Sequence, residues 1–161
     1  MAMTNPEFVY TIYIKTTPEK LWNAITNPEF TRRYWGHENI SDWKKGSKWQ
    51  HVDSDEKRTV RLVGEVLESV PPKRLVLTWA EPSDAADTSR HSRVTFEIEP
   101  IGDMVRLNVI HSNLRAGSEV ARRIAAGWPR VLSSLKSFLE TGVALNTWAG
   151  HEYDCAKPAT R

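Results

Sequence analysis

SEVARRIAAGWPRVLSSLKSFLET, residues 118–141, carries the strongest periodic pattern in the chain. At roughly 100° per residue, Val120, Ile124, Trp128, Val131, Leu135, Phe138 and Leu139 fall on one side of a helix. Arg122, Arg123, Arg130, Ser133, Lys136, Ser137 and Glu140 fall on the other. Gly142 supplies the stop. Pro129, inside the stretch, removes one backbone donor and predicts a kink. A helix so amphipathic must bury its apolar side, and the segments upstream indicate against what.

Those segments read as strands. Val94, Phe96 and Ile98 alternate with Arg93, Thr95, Glu97 and Glu99, the period of a half-buried strand. After the turn Pro100–Asp103, Val105, Leu107 and Val109 continue as the second arm of an antiparallel hairpin. Further upstream, strands are predicted over Phe8–Lys15, Lys48–Val52, Thr59–Val70 and Arg74–Ala80. Gly64 marks a bulge or a close approach. Asp53–Lys57 is read as a polar connector, and Glu81–Arg90 as a polar loop. Between the first two strands lie two helix starts. Thr17 is a cap followed by Pro18 and Glu19, and Asn27-Pro28-Glu29 repeats the signal, with Gly36 ending the second helix.

The order is strand, two short helices, a run of about five or six antiparallel strands and one long helix. It predicts an α+β fold in which a curved sheet wraps the C-terminal helix. Residues 8–142 form the expected domain, 1–7 an N-terminal extension and 143–161 a C-terminal tail.

Composition narrows the function classes. A chain of 161 residues is long enough for one self-sufficient core. Lys plus Arg (22) against Asp plus Glu (20) leaves +2, which gives no electrostatic case for nucleic acid or a membrane as partner. One cysteine, Cys155, excludes an intramolecular disulfide. The N-terminus lacks the basic and apolar regions of a signal peptide, and no apolar run approaches the ~18 residues of a membrane span. A cytoplasmic location is expected, and the sequon Asn39-Ile40-Ser41 is read as coincidence. Without a Walker loop, dinucleotide fingerprint, HExxH or CxxC pattern, no cofactor and no metal are expected. Asp53-Ser54-Asp55 lacks the glycine and closing glutamate of a calcium loop. Ser133-Ser134-Leu135-Lys136 lacks the companion motifs of a β-lactamase site.

The anomaly is tryptophan: 7, against 4 Phe and 4 Tyr. Trp35, Trp49, Trp79 and Trp128 sit on elements that converge if the helix grips the sheet. Each taken singly is read as core; together, at least two of the four are expected to touch a pocket. His51 shares strand parity with Trp49, and His111 with Leu107 and Val109, so both imidazoles point inward. Each is then either a hydrogen-bonded core residue or a polar group offered to a ligand. His37, His91 and His151 are assigned to loops and tail.

Several short motifs fall in a telling order. Thr17-Pro18 leads through Leu21-Trp22, and Trp35-Gly36 follows the second helix. Gly64-Glu65-Val66-Leu67-Glu68 runs into Pro71-Pro72-Lys73-Arg74-Leu75 and Thr78-Trp79. Gly127-Trp128 precedes Leu132, Leu135 and Leu139-Glu140. Over residues 8–142 the chain resembles the SRPBCC or START-like superfamily, with the helix-grip fold of the birch-pollen allergen. Within it, the chain resembles homologues of the activator of the ninety-kilodalton heat-shock chaperone's ATPase.

The resemblance implies a cavity between sheet and helix but no single function; with the tryptophans placed on converging elements, three functions are ranked in descending order. The first is non-catalytic binding of a small apolar or aromatic molecule. Its walls would be Trp35, Trp49, Trp79, Phe96, Val109, Trp128 and Val131, with His51 and His111 as polar anchors. The second is an interaction module with a chaperone as partner. The third is a polyketide cyclase-like enzyme using His51 or His111 as acid or base. Related folds often pair, so a homodimer is within the expectation.

Overall fold

The computed structural model describes residues 7–147; the sequence readings on residues 1–6, His151, Cys155 and the rest of the tail lie outside them. β1 (Phe8–Ile14) leads into α1 (Pro18–Thr26) and α2 (Pro28–Trp35). Then follow β2 (His37–Ser41), β3 (Lys48–Asp53), β4 (Val60–Val70), β5 (Arg74–Trp79), β6 (Ser92–Ile101) and β7 (Met104–Ser112), and finally α3 (Glu119–Thr141). The helix signals act where the sequence has them. Thr17 Oγ1 accepts from the Lys20 amide, and Asn27 Oδ1 from Glu29. Gly36 and Gly142 close α2 and α3 with φ of 83° and 81°, the left-handed region that glycine enters without strain.

The strands form one antiparallel sheet in the order β1-β7-β6-β5-β4-β3-β2. It has seven strands, against about six expected. The addition is β2, whose sequence HENIS is short, polar and at the sheet edge, so no apolar alternation announces it. Irregularities between His51 and Val52 and between Val66 and Glu68 break the β3–β4 and β4–β5 registers, and such bulges bend a sheet. No bulge falls at Gly64; its role is close approach.

α3 lies in the bend. Ile124, Trp128, Val131, Leu132 and Leu135 are buried on it against Leu75, Val94, Phe96, Leu107 and Val109 of the sheet. Pro129 leaves the Ala125 carbonyl without its helical donor, and Ala125 is on the exposed side. The C-terminal half of α3 is tied to β1: Lys136 Nζ donates to the Tyr13 carbonyl (2.6 Å), and the Lys15 amide to Glu140 Oε2 (2.8 Å). Residues 143–147, read from sequence as the start of a tail, run back along the same half. The Leu145 amide donates to Ser134 Oγ, and Thr147 Oγ1 to the Arg130 carbonyl. Among the described residues no helix is long and apolar enough to cross a membrane.

Candidate functional site

The interior between sheet and helix is aromatic because four elements each aim one indole at it. Trp35 ends α2, Trp49 is on β3, Trp79 ends β5 and Trp128 is mid-way along α3; all four are buried. Trp128 lies 5.5 Å from Trp35 and 5.7 Å from Trp79, centroid to centroid. Trp49 lies 5.4 Å from Trp79, and Phe96 meets Trp128 edge-on at 5.9 Å. These are the offset and edge-to-face separations that aromatic rings favour. Val109 and Val131 are buried beside them.

The two inward imidazoles differ in what they have left to give. Around His111 every atom has work. Trp128 Nε1 donates to His111 Nδ1 (3.1 Å), which places the ring proton on Nε2. His111 Nε2 then donates to Ser92 Oγ (2.7 Å), and the Ser92 hydroxyl to the Trp79 carbonyl (3.2 Å). Burial pushes the His111 pKa down to about 3, because a charged ring would lose its hydration there. His111 therefore fixes Trp128 and the end of β5, and both its nitrogens are engaged.

His51 is different. Its Nδ1 donates to Asn39 Oδ1 at 2.6 Å, so Nε2 carries a bare lone pair. That Nε2 has no hydrogen-bond partner among the described residues, and neither does the indole Nε1 of Trp35. The two rings are neighbours, 4.8 Å apart. Burial, reinforced by the adjacent His37, holds His51 well below its ordinary pKa. A lone-pair acceptor and an N–H donor thus stand together in an apolar interior, where an unpaired polar atom costs about 1–3 kcal/mol.

His37 was expected in a loop; it opens β2 and is buried, its ring parallel to His51 at 4.5 Å. Its Nε2 lies 3.0 Å from Asp53 Oδ1, and Asp53 accepts from Arg61 Nε (3.0 Å) and Nη2 (2.7 Å). Burial works to raise the Asp53 pKa, but the bonds from Arg61 and the neighbouring His37 outweigh it and hold the carboxylate below its usual value. Asp53 is thus the last residue of β3 rather than part of a connector. The signal was available: Trp49, His51 and Asp53 share one parity, so a strand that buries the first two buries the third. Asn39, the residue of the apparent sequon, is buried and committed to His51. Among the described residues, no group of His, Cys, Asp and Glu is arranged to hold a metal ion.

On the outside, Trp22, Asp42, Trp43, Lys44, Lys45, Ser69 and Pro71 line a groove of about 490 Å³. Both tryptophans are half-buried, and Trp43 is held at a φ of 57° in the loop after β2.

Residues 15–140 match the family profile described as activator of Hsp90 ATPase homolog 1-like protein. Among solved structures, an Aha1 dimer from Colwellia psychrerythraea superposes with a TM-score of 0.71 at 21% identity, over 85% of this chain and 98% of that one. An HSP90 activator from Plasmodium falciparum gives 0.68 at 26% identity, over 83% and 95%. CalU16 from Micromonospora echinospora gives 0.64 at 21% identity, over 84% and 77%. No curated protein matches the chain.

Proposed function

The chain belongs to the family of activator of Hsp90 ATPase homolog 1-like proteins, and from that premise we propose that it binds a small apolar or aromatic molecule in the interior between sheet and α3. The observation that carries the reading is the pair of unpartnered polar atoms, His51 Nε2 and Trp35 Nε1, within a shell of indoles. A few polar groups among apolar walls are what orient a ligand, and these two belong to neighbouring rings 4.8 Å apart. Trp79, Trp128, Phe96, Val109 and Val131 supply apolar surface, and Trp49 backs Trp79. His111 serves by locking Trp128 in place. The guest takes over ring–ring contacts, so its arrival changes the surroundings of several tryptophans at once.

Intrinsic emission reads this directly. Titration with fatty acids, fatty alcohols and polycyclic aromatics is expected to quench or shift tryptophan emission saturably with at least one compound. The same compound should lose about tenfold or more in affinity in Trp35→Ala. A panel that leaves emission unchanged removes the reading.

A second reading rests on the outer groove. Its two half-buried indoles beside Lys44 and Lys45 suit a partner surface bearing acidic and apolar side chains, and one solved relative is an HSP90 activator. An interaction module of this kind should bind an Hsp90-type chaperone and raise its ATPase rate, with Trp43→Ala weakening both effects several-fold. A chaperone whose ATPase rate is indifferent to a large excess of this protein excludes it.

A further inference from the structure

We infer that the interior site selects an uncharged hydroxyl group, an alcohol or phenol, bridging Trp35 and His51. The inference rests on the ligand reading above and deepens it.

The reasoning is a matching of donors to acceptors. Asn39 Oδ1 is an acceptor 2.6 Å from His51 Nδ1, so the proton is on Nδ1 and Nε2 only accepts. Trp35 Nε1 only donates. Each lacks a partner among the described residues. A hydroxyl both donates and accepts, and satisfies the two atoms together. An ether or ketone accepts only, leaving Nε2 unpaired. A carboxylate also only accepts, and brings a charge into a shell of indoles. An ammonium donates only, leaving the Trp35 N–H unpaired. Leaving a buried polar atom unpaired is what makes hydrogen-bonding sites discriminate sharply against analogues that lack the group.

The nearby charges do not change this conclusion. Those on the sheet side are Asp53 and Arg61, with His37 between Asp53 and the His51 ring, and Asp53 is already taken up by Arg61 and His37. From α2 and α3 the faces toward His51 are the neutral indoles Trp35 and, through it, Trp128. His51 is also barred from drifting to the other tautomer, because Nδ1–H is the atom that Asn39 requires. The ring is held from behind by the parallel face of His37 and from one side by Asn39, so its free edge is fixed in direction.

The test uses matched probes differing only in the head group: 2-naphthol, 2-methoxynaphthalene and 2-naphthoate, and 1-decanol, decyl methyl ether and decanoate. Binding is followed by calorimetry and by the indole N–H resonance of Trp35, assigned through its loss in Trp35→Phe. The hydroxyl member of at least one set is expected to bind about tenfold or more tighter than both partners and to shift that resonance. His51→Phe keeps a ring against His37 and should bring the hydroxyl and ether members within about twofold of each other. Equal binding within both sets overturns the inference and leaves the ligand reading standing. So does an ether or carboxylate that binds best, or a compound from the wider panel that binds without a hydroxyl. Two atoms served by water alone would give no head-group preference, and that result also overturns it. Silence from both sets and from the wider panel removes the ligand reading itself.

Discussion

Gly64→Ala is expected to destabilise the protein by about 3 kcal/mol or more, far beyond an ordinary strand glycine replacement. Gly64 faces Trp49 across the β3–β4 ladder. The missing side chain lets the Trp49 indole lie over the β4 backbone and donate from Nε1 to the Thr78 carbonyl at 2.7 Å. A methyl group on Gly64 would sit 1.9 Å from that carbonyl oxygen and 2.3 Å from the indole nitrogen. Neither can give way cheaply. The carbonyl is backbone, at the strand next to β4, and the indole is wedged against Trp79. The variant should lose about 10 °C in Tm and its tryptophan emission should move to the red. Trp49→Phe added to Gly64→Ala should rescue only part of the loss, because the carbonyl contact remains. A Tm within about 2 °C of the parent would mean that Trp49 does not cross β4 here.

Acid should weaken the fold before its carboxylates titrate. His51 and His111 are buried and neutral, with pKa values held below the ordinary 6.5, His111 at about 3. The unfolded chain binds protons that the folded one refuses, so stability rises with pH through this window and falls as pH drops below 6.5. Each ring contributes a slope of about 1.4 kcal/mol per pH unit. At pH 5 His111 alone removes about 2 kcal/mol, and His51 adds a loss of the same sign. Asp53 adds a loss of the same sign, but only where carboxylates begin to protonate. Urea midpoints measured from pH 7.5 to 5 should therefore decline steadily, and His111→Gln should show about half the slope. A midpoint unchanged over that range would show that the imidazoles are not dry.

Most of the scaffold could be read from periodicity. α3 announces itself through a stripe that continues past Pro129, and the β6–β7 hairpin through strict alternation. The four indoles were placed on the right elements because the parity of Trp49 and Trp79 and the helical phase of Trp128 are local properties. The polar half of the site was harder. His37 and Asn39 sit on an edge strand with almost no apolar residue, so nothing in HENIS distinguishes a strand from a loop until β3 is beside it. Asp53 looked like the first residue of a polar connector because its partners, Arg61 and His37, are distant in sequence and reach it only through the bulged β3–β4 register. Equally, parity alone treated His51 and His111 alike. What separates them is Ser92 and Trp128 on one side and Asn39 on the other, and those pairings come from strand order rather than from residue type.

The long helix α3 is anchored on both sides of Pro129. Beyond Pro129 it is laced to β1 and to its own returning chain by Lys136, Glu140, Ser134 and Thr147. Before Pro129, Trp128 is bonded to His111 of β7 at 3.1 Å, and Arg123 reaches Glu81 at 3.4 Å. A proline with its missing rung separates the two halves. Trp128 stands directly before that missing rung, so the ring that meets Trp35 and Trp79 takes its position from His111 on the sheet as much as from the helix that carries it.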